Sequence, residues 1–218
     1  MTNKIATAAI NYFNQTGQIL NLSSYKNELS TILKNSYDQT NTLFVNDQLQ
    51  ILKDQANLTM EQMTVDQLKT YLEKEAIDKA NIQAATILKT MQSDLTSAVL
   101  GTSNINNSVS MWKLQTKNRT NPTIVNIQIQ STAENAKVQT TNFALNTSSY
   151  NANIKTATKT WIAIEDEKTR PAHAFANGQK VLINEYYFVG GEYLYYPGDM
   201  RGSPGNVINC RCSSLTLF

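Results

Sequence analysis

The sequence predicts an α+β protein, with a long, mainly α-helical N-terminal region followed by a small, turn-rich α+β C-terminal domain. The first 121 residues contain no proline and only two glycines, so they can be helical almost throughout. Six of the eight glycines lie between residues 178 and 205, and three of the four prolines fall in nearly the same stretch. We therefore predict a helical assembly region over residues 1–150 and a separate domain over residues 151–218.

Two long helices are predicted in the first region from apolar residues at three- and four-residue steps. The first apolar stripe consists of Leu22, Tyr25, Leu29, Ile32, Leu33 and Tyr37, continued by Leu43, Phe44, Leu49, Leu52 and Ala56. A second helix is predicted to begin at Thr64, because Gln67 three residues later completes a capping box. Gly101 is a typical C-terminal stop. Such a helix, about 54 Å long at 1.5 Å per residue, suits a bundle or a rod against other subunits.

The remainder of this region is less regular in pattern. Residues 102–121 are predicted to be a polar connector, and Asn121-Pro122 signals a turn or a helix start. From Thr123 the β-branched residues alternate as in a strand, but the pattern continues to Ala144 at helical spacing. We therefore predict a helix there, followed by a linker over residues 146–153.

The C-terminal domain is predicted to begin with a strand over residues 157–163, where period-two alternation places Lys159 and Trp161 on one face. A turn then leads into a short helix through Phe175, which Asn177-Gly178 ends. Segments 180–183 and 186–189 are predicted to pair as strands. Gly190-Gly191 would turn the chain into a further strand over 192–196.

The charge pattern favours neither nucleic acid nor a membrane as partner. The formal net charge is +2, and only 17% of the residues are charged. Two groups of basic residues come nearest to a basic patch: Lys113, Lys117 and Arg119, and then Lys155 and Lys159. We interpret both groups as solvated polar faces. No run of 18 apolar residues and no apolar segment of signal-peptide type is present. We therefore expect the protein in a cytosol, with no membrane partner.

A candidate metal site lies in the C-terminal domain. His173 is the only histidine, and Cys210 and Cys212 are the only cysteines. Imidazole and thiolate are zinc ligands, and a tetrahedral site needs a fourth donor, for which Asp166 or Asp199 is a candidate. A metal would also stabilise a small glycine-rich domain. Alternatively, the two cysteines are small buried apolar residues and the histidine bonds to the backbone.

Two further interpretations concern the same residues. A cysteine with His173 as base would give a hydrolase, but the sequence shows neither an orienting third group nor an oxyanion site. Asp166 and Arg170, four residues apart, would form a helical ion pair. Arg211, between the cysteines, would face solvent or the carboxylate of a partner.

An ordered series of residues resembles the C-terminal domain of the phage Mu F-like minor head protein family over about residues 161–212. The series comprises Trp161, Asp166, Thr169, Arg170, His173, Asn177, Gly178, Tyr196, Pro197, Gly198, Asp199, Asn209, Cys210, Arg211 and Cys212. Upstream, residues 131–134 (Ser-Thr-Ala-Glu) loosely resemble a helical element of the same family. Residues 1–120 resemble no family that we can name.

The resemblance implies a non-enzymatic structural protein of a tailed bacteriophage virion. Its helical region would bind the portal or the major capsid protein, in several copies per virion, and would support head morphogenesis or DNA ejection. Its location would be the capsid interior or portal vertex, and the host cytoplasm during assembly. An alternative in the same setting is an internal protein that contacts packaged DNA or is ejected with it.

Overall fold

The computed structural model describes residues 2–56, 60, 62–100, 122–147 and 157–217. Long helices dominate the part before residue 148 and short strands the part after residue 156, which confirms the predicted α+β class. The long helices are α1 (Thr2–Thr16), α2 (Lys26–Ala56), α3 (Gln62–Leu100) and α4 (Pro122–Thr147). The predicted connector 102–121 lies outside the described residues, as does most of the predicted linker 146–153.

The start of α3 differs from the prediction. The helix begins at Gln62, so Thr64 lies inside its first turn and is not the N-cap. A Ser/Thr-x-x-Gln pattern also occurs within helices, because a threonine side chain there can bond to its own backbone. The end at Leu100 agrees with a stop at Gly101.

Contacts divide the described chain into two compact units. The first contains residues 2–36, 76–100 and 122–125. Its core consists of Ile5, Ala9, Leu22, Leu88, Met91 and Leu95. Between α1 and α2, Gly17 has a φ of +67°, and a 3-10 turn over Leu22–Tyr25 is capped by the Asn21 side chain. The backbone N–H of Leu22 donates to Oε1 of Gln92 at 2.7 Å.

The second unit contains residues 37–56, 60, 62–75, 126–147 and 157–217. One of its apolar clusters joins Val45 of α2, Leu68 and Leu72 of α3 and Ala136 of α4. The predicted domain boundary at residue 150 falls among residues that are not described and stays a prediction. The second unit, however, includes parts of α2, α3 and α4 together with the C-terminal residues.

Helix α4 confirms the prediction of a helix over strand-like alternation. It begins at Pro122, whose missing N–H is tolerated at the first helical position. Its middle is buried on nearly every side, including seven polar residues. These are Ser131, Thr132, Glu134, Asn135, Gln139, Thr140 and Thr141. A helix enclosed by protein must satisfy such groups internally, and two of them, Ser131 and Glu134, bond to a C-terminal turn and strand.

The C-terminal segment forms two small antiparallel sheets. Strands β1 (Thr158–Ile162), β2 (Lys180–Leu182) and β5 (Ser213–Leu217) form one sheet in the order β2-β1-β5. Strands β3 (Tyr187–Val189) and β4 (Glu192–Leu194) form a hairpin. The predicted pairing of 180–183 with 186–189 is therefore wrong, because β2 pairs with β1 and β3 with β4. The turn at Gly190-Gly191 is confirmed, with positive φ at both glycines.

Two short helices connect these strands. Helix α5 (Pro171–Ala176) lies between β1 and β2, and α6 (Pro204–Val207) precedes β5. Within the described residues, every helix is too short or too polar to cross a membrane.

Candidate metal centre

Helix α5 positions His173. Arg170 is its extended N-cap and Pro171 its first residue, so the helix starts with a preset φ. Gly178, with a φ of +77°, then reverses the chain, and its N–H donates to the carbonyl of Trp161 at 2.9 Å. Asn177 Oδ1 accepts the N–H of Ala163 at 2.9 Å. These bonds hold the helix against β1, and the His173 ring is 2% exposed.

The two cysteines lie in the extended segment immediately before β5, not within the strand. Asn209 has a φ of +58°, the only positive value at a non-glycine residue among those described. Asparagine tolerates this conformation better than most residues, and the N–H of Cys210 then donates to Val207 at 3.1 Å. Both cysteines are buried and unpaired by disulfide.

The structure brings His173, Cys210 and Cys212 together. Nδ1 of His173 lies 3.4 Å from Sγ of Cys212 and 3.7 Å from Sγ of Cys210. The donor atoms of all three residues lie within 4.8 Å of one another. Nε2 of the histidine is buried and makes no hydrogen bond to any described residue.

Apolar and aromatic side chains surround this cluster. Trp161 is fully buried and its ring meets the His173 ring edge-on, with centroids 5.6 Å apart. The Tyr187 ring also packs edge-on against the Trp161 ring, with centroids 5.2 Å apart. Trp161 is therefore a core residue of this unit, in one cluster with both cysteines.

The thiols influence each other's ionisation. The hydrogen bond with Cys212, aided by His173, lowers the pKa of Cys210 to about 5 in spite of burial. The same interaction and burial raise the pKa of Cys212, because a second thiolate would lie beside the first. The pair therefore gives up one proton readily and retains the other while no cation is present.

Neither predicted aspartate joins the cluster. Asp166 is exposed, and Arg211 donates to its two oxygens at 2.5 and 2.7 Å. This interaction holds the pKa of Asp166 far below its usual range. The predicted Asp166–Arg170 pair is wrong, because residues 166–170 form a turn and Arg170 donates instead to the carbonyl of Ile208. Arg211 thus meets a carboxylate of its own chain.

Asp199 is buried at the Tyr-Pro-Gly-Asp turn. It accepts the N–H of Tyr195 at 2.8 Å and forms a salt bridge with Arg201 at 2.8 Å. Pro197 and Gly198 are buried beside it. A Cβ at Gly198 would lie 2.8 Å from Cβ of Ser131, whose hydroxyl donates to the Gly198 carbonyl at 2.7 Å. This turn therefore requires glycine for both its φ of +78° and the close approach of α4.

Sequence reasoning missed two buried charges. Lys159 was expected on a solvated face, but its side chain is fully buried and Nζ donates to the Tyr195 carbonyl at 2.7 Å. Nζ also lies 3.6 Å from the centre of the Tyr195 ring, and burial lowers the pKa of Lys159 to about 7. Glu134 of α4 accepts the N–H and the hydroxyl of Ser214 at 2.9 and 2.5 Å. The Ser-Thr-Ala-Glu resemblance was the available signal for the second.

A small cavity adjoins the cluster. Its volume is about 10 Å³, room for one water molecule and no more. It is lined by Ile164, Lys168, Thr169, Arg170, His173, Asn209, Arg211 and Cys212. The wall is therefore polar and carries three cationic side chains.

Comparison with known protein families finds a match over most of the chain. The sequence model of the matching family, described as Phage Mu protein F like protein, matches residues 23–215. The match includes the motif residues above and also α2 and α3, which the sequence resemblance did not reach. No curated protein and no solved structure matches the chain.

Proposed function

Because the chain belongs to the Phage Mu protein F like family, we propose that it is a minor head protein of a tailed bacteriophage, bound to the portal or the inner capsid surface. The family is one of phage head structural proteins, which supports a location in the virion. The observation that carries the proposal is the length of the match, which covers most of the chain and includes residues of both compact units. In this role the protein supports head assembly or DNA delivery.

The surface of the long helices is consistent with permanent contacts to other subunits. Leu43 of α2 and Ile82 of α3 are 68% and 57% exposed. The polar surface is built mainly from uncharged side chains, since only 17% of the residues are charged. Such surfaces are suited to assembly interfaces, which have fewer charged residues at their core than the rest of a protein surface.

The geometry around His173 favours a structural role over hydrolysis. A nucleophilic cysteine needs a base that is itself oriented by a third group. Among the described residues, no group bonds to Nε2 of His173. The adjoining cavity of about 10 Å³ also leaves no room for a substrate. These two observations support a non-enzymatic protein.

An internal DNA-contacting protein is the competing assignment. Affinity for duplex DNA comes mostly from neutralised phosphates, and the formal net charge of the chain is only +2. Two of the basic side chains in the second unit, Arg201 and Arg211, are engaged by Asp199 and Asp166. Charge therefore favours protein partners.

The test is a conditional stop codon in the gene of the phage that encodes this chain. We expect particles made without the protein to be defective in assembly or infectivity, and complementation with the wild-type chain to restore them. Density maps of wild-type and deficient particles should differ at the portal vertex or inner capsid surface. Absence of the chain from purified heads would refute the proposal. Density along the packaged DNA alone would favour the competing assignment.

A further inference from the structure

We propose that His173, Cys210 and Cys212 bind one zinc ion as a structural centre, with a water molecule in the fourth position. This goes beyond a role in the phage head, because it concerns how the C-terminal unit is held together. The first argument is distance. Zinc bonds of 2.3 Å to sulfur and about 2.05 Å to nitrogen, at a tetrahedral angle, place nitrogen and sulfur about 3.5 Å apart. The observed distances are 3.4 and 3.7 Å.

The second argument is the number of sulfur atoms close to Nδ1 of His173. A neutral imidazole nitrogen that accepts a hydrogen bond has a single lone pair. Nδ1 of His173 nevertheless has two sulfur atoms at nearly equal distances. One hydrogen bond to this nitrogen engages only one of these neighbours, and the bond between the two thiols must then hold the other. An ion between the three atoms would hold all of them at once.

The third argument is charge. Two thiolates and one Zn²⁺ give a neutral centre, which can be buried at little electrostatic cost. Both cysteines are at most 5% exposed and lie in an apolar cluster with Trp161 and Val189. On binding, the zinc ion displaces the proton that the thiol pair still retains, and this proton passes to solvent.

The fourth ligand follows from the surroundings. Asp166 is held by Arg211, and Asp199 by Arg201 and the Tyr195 N–H, so neither carboxylate is available. The cavity beside His173 and Cys212 holds about one water molecule and is lined by polar side chains. A water molecule there completes four-coordination. Zinc enzymes also keep a water molecule in the fourth position, but the small volume here leaves space for that water and little more, which favours a structural role.

The centre would join two distant parts of the chain. His173 lies on α5, and the cysteines lie 37 and 39 residues later, immediately before β5. Three of the five strands have three residues each, so backbone pairing alone secures this unit weakly. A bound metal would stabilise this region by linking α5 to the segment before β5.

The experiment uses the full-length chain, purified under reducing conditions and without chelator. We expect one zinc per chain by elemental analysis after dialysis. Replacement by Co²⁺ should give a thiolate-to-cobalt charge-transfer band and the visible bands of a tetrahedral site. A wild-type chain that retains neither Zn²⁺ nor Co²⁺, or whose Co²⁺ spectrum lacks the thiolate band, would overturn the proposal.

Variants identify the ligands. Cys212→Ser and His173→Ala should lose zinc during dialysis. Val189→Ala is the matched control, because Val189 is buried in the same cluster but carries no donor atom; it should keep its zinc although it is less stable. Full zinc retention by both ligand variants would also overturn the assignment. If a ligand variant does not fold, the Co²⁺ spectrum of the wild-type chain still decides the matter.

Discussion

The buried lysine of β1 gives a prediction whose size can be worked out. Lys159 is fully buried, and burial lowers its pKa from 10.5 to about 7 although Asp199 acts in the opposite direction. We expect the Lys159→Met variant to keep the fold, because methionine has a similar length and suits the aromatic surroundings of Tyr187 and Tyr195. The informative quantity is the difference in free energy of unfolding between wild type and variant, measured against pH.

The direction in which the free energy of unfolding changes with pH follows from proton binding. Between pH 7 and pH 10.5 the unfolded chain holds the lysine proton and the folded chain does not, so the free energy of unfolding rises with pH. The stabilisation is complete above the unfolded pKa of 10.5 and is lost as the pH falls toward the folded pKa near 7. From pH 7 to pH 9.5, wild type should gain about 3 kcal/mol relative to Lys159→Met.

Urea denaturation at several pH values over this range measures the difference. Tyrosines and thiols also titrate in the range, but they are common to both proteins and largely cancel in the comparison. A difference that stays constant from pH 7 to pH 9.5 would refute the reasoning. It would mean that the folded protein keeps Lys159 protonated, with the Tyr195 carbonyl and ring compensating for burial.

Two further predictions concern the contacts of α4. Glu134→Gln weakens two bonds to Ser214 and should lower the free energy of unfolding by about 1–3 kcal/mol, since hydrogen bonds to charged groups are the stronger ones. Denaturation would measure this loss, and an unchanged midpoint would contradict it. Gly198→Ala should cost more than Gly178→Ala, although both glycines have φ near +78°. Only at Gly198 would the new Cβ meet Ser131, at 2.8 Å, whereas nothing lies within 4 Å at Gly178. Equal shifts in Tm for the two glycine variants would show that the close approach to α4 relaxes freely.

The long helices could be predicted because their signal is repeated many times. Apolar residues recur along α2 and α3, and no proline interrupts either helix. The same repetition allowed the prediction of α4 as a helix. Strand-like alternation covers only its first turns, whereas helical spacing continues to Ala144. A single local signal was less reliable, as the misplaced N-cap at Thr64 shows.

Strand pairing was harder to predict, because a three-residue strand carries almost no pattern. Strand β2 pairs with β1 although helix α5 separates the two strands in sequence. This pairing depends on the reversal of the chain at Gly178. The hairpin of β3 and β4 was easier to anticipate, since its two glycines adjoin both strands. The partner of β2 depends on contacts distant in sequence, which no local rule contains.

The candidate centre was accessible from the sequence because its residues are unique. One histidine and two cysteines occur in the chain, and the fold brings them within 4.8 Å. The fourth donor was not accessible. Asp166 was paired with Arg170 on the basis of helical spacing, but the segment is a turn and its partner is Arg211, 45 residues away.

Lys159 shows two sequence signals in conflict. Period-two alternation placed it on the same face as Trp161, which is buried, whereas its charge argued for solvent. The periodicity prevailed because the side-chain nitrogen finds a backbone carbonyl and two aromatic rings inside the unit. Composition cannot indicate that such partners exist.

The contacts of α4 tie the motif residues to a helix upstream of them, which the family match also includes. Ser131 bonds to Gly198 in the Tyr-Pro-Gly-Asp turn, and Glu134 bonds to Ser214 in β5. A fragment that began at residue 151 would leave the backbone N–H of Ser214 without its carboxylate and would expose the surface that α4 covers. Buried polar groups are costly when they lose their partners. The residues that resemble this family therefore include Ser131 and Glu134, which join a helix from before residue 150 to a turn and a strand after it.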